Sequence, residues 1–249
     1  MKNASRDALH LLKSSLPVRQ WFGNLVLFLL LVLWLQIPDS HVWQFAFALL
    51  SAAALMAGFF WLYCGTFQWL QKPASPARWW VRWLLLAAVI VVWWLLLKPI
   101  DALRAHEDLY AGYWNSRLSS GLRAVFTYER LQQLQEFGYD VVQLILAAVM
   151  LPLAVEAGGS GFTAQPVRRV FRVYFRWFYW VAVLFCGLIG FEISKRLMDW
   201  TPEAGLTGEI VSVIVRLGSV YTLDIVLWCF VLALVAVYMR PREISGETK

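Results

Sequence analysis

The stretch 207–239 constrains this chain most. It is about 33 residues of almost continuous apolar sequence, and a helix needs roughly 20 to cross the hydrocarbon of a bilayer. Lipid offers no partner to backbone N–H and C=O groups, so such a stretch is a helix that closes its own hydrogen bonds. It also carries Arg216 and Asp224. A charge at membrane depth is costly, and it needs a partner, a wet cavity or a function.

Five further runs read the same way, at 21–37, 42–70, 79–97, 139–155 and 177–193, with the sixth span taken as 218–239. The expected fold is all-α: a polytopic membrane protein, a six-helix transmembrane bundle with surface-lying amphipathic helices, forming one integral membrane domain over 1–249. Composition agrees. Hydrophobic residues make up 60% of the chain and charged residues 15%, where a soluble domain carries about a quarter charged. The fifteen Trp residues suit membrane–water interfaces. The net charge of +6 does not point to nucleic acid, because the basic residues flank apolar spans and form no stripe on a soluble face. The lipid bilayer is the expected partner, with other membrane subunits as further partners.

The first run ends in Q-I-P-D-S-H, not in a small-x-small cleavage site, and is expected to remain as a helix. Ahead of it, Leu9, Leu12 and Leu16 recur at helical spacing among Lys2, Arg6, Lys13 and Arg19. That pattern predicts a short amphipathic helix on the membrane surface. The short link at 38–41 makes the second span an antiparallel neighbour of the first. In that span Ala54 and Gly58 stand four apart, a spacing that lets two helices approach closely.

Pro73 and Pro76 then break the chain, and Arg78 and Arg82 among tryptophans are expected to anchor the third span at the interface. The segment 98–137 is the longest outside the spans. Its Leu122, Val125, Phe126, Leu131, Leu134 and Phe137 predict a helix lying on the bilayer or over the bundle, in one reading as a lid. Pro152 predicts a kink in span four. Pro166 opens a run in which Arg168, Arg169, Arg172 and Arg176 alternate with apolar and aromatic residues.

Few residues offer chemistry. The G-G-S-G at 158–161 matches the G-x-S-G pattern of rhomboid intramembrane proteases. A nucleophilic serine needs a base in reach, and His10, His41 and His106 all lie outside the spans. Ser160 is therefore expected in a flexible turn. Without histidine at depth, a bis-histidine haem is excluded. Cys64, Cys186 and Cys229 lie within spans, form no C-x-x-C pair, and read as small buried hydrophobes. No cofactor, metal or catalytic set is expected.

What remains is ionisable: Lys98, Asp140, Glu192, Lys195, Arg216 and Asp224, all toward one end of the bundle. The candidate intramembrane polar site is Asp224, Arg216, Tyr221 and Glu192. Arg216 and Asp224 are about 12 Å apart along a helix, too far for an ion pair. An interfacial turn over 207–217 would put Arg216 at the membrane boundary and leave Asp224 a turn or two inside. Asp224 then reads either as a structural polar contact or as part of a substrate or proton path.

Lys and Arg are twice as frequent in 1–20, 71–82, 156–176 and 240–249 as in the segments on the other side, and acidic residues run the other way. Basic residues favour the cytoplasm, so both termini are expected there and 98–137 outside. The stretch A-Q-P-V-R-R-V-F-R-V-Y-F-R-W-F-Y-W-V-A-V-L-F-C-G-L-I-G resembles uncharacterised bacterial six-span inner-membrane proteins. The resemblance covers chiefly the second half. It implies a multi-pass topology in the bacterial inner (plasma) membrane and no particular activity. Two functions stay open: a non-catalytic membrane component (a scaffold, an assembly factor or an accessory subunit), or a small transporter or channel with a polar site near Asp224.

Overall fold

The computed structural model describes residues 2–38, 41–73, 75–162, 166–199 and 206–240. The loop positions 39–40, 74, 163–165 and 200–205 and the tail after Arg240 lie outside the described residues. Among the described residues the regular structure is all helix, without strands. The helices are α1 (Lys2–Leu12), α2 (Leu16–Leu35), α3 (Val42–Gln71), α4 (Trp79–Arg104), α5 (Glu107–Arg117), α6 (Ser120–Val125), α7 (Tyr128–Gly159), α8 (Pro166–Tyr174), α9 (Trp177–Asp199) and α10 (Leu206–Met239). Six of them, α2, α3, α4, α7, α9 and α10, are long and apolar enough to cross a membrane. The protein is an all-α, six-helix membrane bundle.

Side-chain contacts define two faces. The end of α3 meets the ends of α7 and α10 through Gln71, Glu156 and Met239, and the start of α4 meets the end of α7 through Arg82 and Gly158. We call this the terminal face, because α1 and the end of α10 lie there. At the far face, Arg104 of α4 pairs with Glu136 and Asp140 of α7 at 3.4 and 3.5 Å.

The helix at the centre is α10, which packs against α1, α2, α3, α7, α8 and α9. Leu232, Ala233, Leu234, Val235 and Ala236 are all fully buried. In lipid the hydrophobic effect does not drive helices together, so this closeness comes from van der Waals packing between small and branched side chains. Burial falls away from the centre. It covers 44% of the most apolar window of α10 and 39% of that of α7, but 6% for α2 and 11% each for α3 and α4.

The helices run longer than their apolar patterns. The segment 121–137 was expected to lie apart on the surface, ahead of a span at 139–155. The structure instead continues Tyr128–Gly159 as one helix, capped by Thr127, whose side chain accepts from Arg130 N at 3.4 Å. The reason is local: 128–137 holds strong helix formers and no breaker, so helix propagation costs less than a new start. Only the short α6 remains of the expected surface helix. α4 likewise continues through Pro99 to Arg104, where proline gives up one backbone bond.

α10 is unbroken from Leu206, so 207–217 forms no separate turn. Its 34 residues span about 51 Å, against about 30 Å of hydrocarbon. α1 does form, but its Ala8, Leu11 and Leu12 join the core of the bundle, so its apolar side faces protein. Gly58 sits against Leu27 of α2, while Ala54 is exposed.

Candidate functional site

Asp224 stands on α10 opposite α9. Its Oδ1 accepts from Ser194 Oγ at 3.4 Å, a long bond, and the carboxylate is exposed. Gly190, a turn from Ser194, lies beside it: a Cβ there would be 3.7 Å from Asp224 Oδ1 and 3.0 Å from Leu227 Cδ1. Counting helical rise from Met239, Asp224 lies about 22 Å above the terminal end of α10. That is a turn or two inside the far boundary of the hydrocarbon.

Asp224 borders a cavity of about 220 Å³, whose other walls are almost wholly apolar, with Leu144, Val183, Phe191, Leu227 and Val231 among them. Above it, toward the far face, opens a wider groove of about 840 Å³ between α4, α7 and α9. Gln133, Glu136, Asp140, Gln143, Glu192, Lys195 and Arg104 line that groove. A second apolar cavity of about 290 Å³ lies between α3, α4, α7 and α10, walled by Phe59, Tyr63, Trp93 and Trp228 among others. Ala147 borders all three spaces. Within its lining α7 and α9 approach closely: a Cβ on Gly187 would come within 2.5 Å of Leu144 Cδ1.

The other expected site residues go to separate places. Arg216 donates Nη1 to the carbonyl of Met198 at 2.9 Å and Nε to Ser212 O at 3.3 Å. It thereby tethers α10 to the last turn of α9, where the helix dipole favours a cation. Tyr221 donates to Trp21 O at 2.6 Å, and the two rings pack edge to face with centroids 5.7 Å apart. Trp21 Nε1 returns a bond to Thr222 Oγ1 at 3.2 Å. Glu192 accepts from Arg196 Nε at 2.7 Å on the exposed side of α9 and lines the groove. The structure thus brings Asp224 and Glu192 to one region and assigns Arg216 and Tyr221 to helix-to-helix bonds.

Two polar clusters lie elsewhere. At the terminal face Glu156 is fully buried. Its Oε1 accepts from Ser160 Oγ at 2.6 Å and from Arg169 Nη1 at 3.4 Å, and its Oε2 from Gln71 Nε2 at 3.1 Å. Three helices, α3, α7 and α8, therefore meet on one carboxylate.

The G-G-S-G is not the flexible turn expected. Gly158 and Gly159 end α7 in close contact with α3, and a Cβ on Gly159 would come within 2.3 Å of Gln71 Oε1 and 3.1 Å of Phe67 O. Gly161 then takes a positive φ of 73°, and both Ser160 N and Gly161 N bond back to Glu156 O at 3.1 Å. Ser160 is fully buried with its hydroxyl given to Glu156. It is a helix-end contact. Arg82, expected at the interface, is buried, and Nη1 donates to Gln68 Oε1 at 2.7 Å. Trp79 and Trp80 remain exposed as anchors.

The second cluster joins α2 to α3. Gln20 Nε2 donates to Thr66 Oγ1 at 2.7 Å, and Tyr63 OH donates to Asn24 Oδ1 at 2.8 Å. The three cysteines are free and buried. Among the described residues no group of three or more His, Cys, Asp or Glu side chains could hold a metal ion. Comparison with known proteins returns no match: no protein family, no curated protein and no solved structure.

Proposed function

We propose that the chain is a non-catalytic component of the bacterial inner membrane, acting as an assembly factor, scaffold or accessory subunit, with both termini in the cytoplasm. The observation that carries this reading is the bareness of the first three spans. α2, α3 and α4 bury little of themselves in their own chain, and Leu33, Leu35, Trp43, Leu49 and Leu50 are each at least 60% exposed. Helices so lightly packed can receive the helices of a partner through van der Waals contact.

The polar groups support the same reading, since Glu156, Arg216, Tyr221 and Gln20 serve bonds between helices. The basic residues of the terminal face, Arg19, Arg78, Arg168 and Arg176 among them, support its cytoplasmic position. The expected outcome of purifying the tagged full chain in mild detergent is one stoichiometric membrane partner, lost when Trp43 and Leu50 are replaced by Arg. A lone chain, or a partner indifferent to both replacements, overturns the reading.

A second reading is a small transporter or channel with its site near Asp224. The groove that leads from the far face to that carboxylate favours it. Transport also requires the solid terminal half of α10, Leu232 to Ala236, to open. Solute flux into proteoliposomes that Asp224→Asn abolishes would support it; flux indifferent to that change would not.

A further inference from the structure

The groove between α4, α7 and α9 has a division of chemistry that matches one kind of molecule. Its mouth is polar and charged on both sides. On the α4–α7 side, Arg104 faces two carboxylates, Glu136 and Asp140, at 3.4 and 3.5 Å, so one negative charge is left over. On the α9 side, Glu192 is neutralised by Arg196 at 2.7 Å. Lys195 lines the groove, is exposed, and forms no ion pair within 4 Å among the described residues. One surplus cation therefore faces one surplus anion across the groove. Asp224, at the shoulder where the groove narrows, adds a second carboxylate held only by a long bond to Ser194.

Below the mouth the walls turn apolar, and at Ala147 the space divides into crevices of about 220 and 290 Å³. An engineered cavity of about 150 Å³ holds a benzene ring, so each crevice has room for a length of alkyl chain. The depth agrees. Counting helical rise from the terminal ends of α7, α9 and α10, Asp140 lies near the far boundary of the hydrocarbon, Glu192 and Asp224 lie a turn or two inside it, and the crevices lie beneath them.

We infer that this groove is a binding site for one diacyl aminophospholipid from the leaflet at the far face. Its phosphate meets Lys195, its ammonium meets the surplus carboxylate of Asp140 and Glu136 with Asp224 beside it, and its two chains part around Ala147. The carboxylates discriminate against an anionic lipid, which offers them no cation. This site goes beyond the assembly role proposed above and does not depend on it, since lipid is retained or lost whether or not a protein partner is found.

The test uses the delipidated full chain in detergent, offered vesicles with equal amounts of phosphatidylethanolamine and phosphatidylglycerol, with bound lipid counted by native mass spectrometry. The wild type is expected to retain one phosphatidylethanolamine per chain. Lys195→Ala, at an exposed position that leaves packing intact, removes a charge-assisted hydrogen bond and is expected to lower retention about tenfold. Ala147→Phe fills the fork and is expected to abolish retention while the phosphatidylethanolamine-free thermal midpoint stays near that of wild type. The inference is overturned if the wild type keeps no lipid, if it prefers phosphatidylglycerol, or if Lys195→Ala retains phosphatidylethanolamine as well as wild type does.

Discussion

Glu156 and Asp224 are both carboxylates within long helices, and their surroundings set them opposite tasks. Glu156 has three side-chain donors and no exposure. Removing it takes one acceptor from Gln71, Ser160 and Arg169, so Glu156→Ala should cost about 2 kcal/mol, the scale of a hydrogen bond to a charged group. The buried thiols of Cys64, Cys186 and Cys229 report this directly, because a maleimide dye reacts with them only on unfolding. The dye's thermal midpoint should fall for Glu156→Ala and for Gly159→Ala, whose new methyl meets Phe67 O and Gln71; overpacking of this kind costs about 1–3 kcal/mol.

Asp224→Leu should leave the midpoint unchanged or raised, since a carboxylate with one long bond contributes little to the fold. A fall of about 1 kcal/mol or more, the size of a net hydrogen bond, would mark Asp224 as structural. The sequence singled out Asp224 but not Glu156. E-A-G-G-S-G-F reads as a loop because glycine and serine mark turns locally. What makes it a packing surface is Gln71, 85 residues away in the chain, and no local pattern reveals such a partner.

At the scale of elements, the apolar runs located all six spans, and the structure differs mainly at their ends. A run of hydrophobic residues reports what lies in lipid, not where the helix stops. α4 and α7 continue into polar sequence, and α10 runs without a break through 206–217, because once a helix is nucleated each further residue adds a bond. The overhangs of α4 and α7 meet where Arg104 pairs with Glu136 at 3.4 Å, and that of α7 also meets α5: Tyr128 OH and Gln132 Nε2 both donate to Asp108 Oδ1 at 3.1 Å.

A measurement distinguishes this from a helix lying on the bilayer. Spin labels at Glu129 and Gln143 of α7 should be about 21 Å apart, set by fourteen residues of unbroken helix. A broad or much shorter distance distribution would indicate a break near Gly138. The candidate site was harder to read for the same reason. Arg216 and Tyr221 looked available because their partners, the Met198 carbonyl and the Trp21 carbonyl, are backbone groups that sequence does not advertise. Tyr221→Phe should accordingly weaken the α2–α10 contact by about 0.6 kcal/mol, the average for hydrogen bonds between membrane helices.

For the molecule as a whole, α7, α9 and α10 form the packed centre, and α2, α3 and α4 are left open to lipid or a partner. The terminal face is closed by Glu156 and its donors, and the far face opens as a groove. This asymmetry, with six crossings and the charged overhangs on the far side, makes the two faces distinct environments. Cysteine accessibility reads that topology in intact cells. The native thiols are buried and silent, so single cysteines can be placed at Lys72, on the terminal face, and at Ser116, beyond the far face, and exposed in intact cells to a membrane-impermeant maleimide. Ser116→Cys is expected to label in intact cells, and Lys72→Cys only after the membrane is opened. Labelling of both from the same side would contradict that topology.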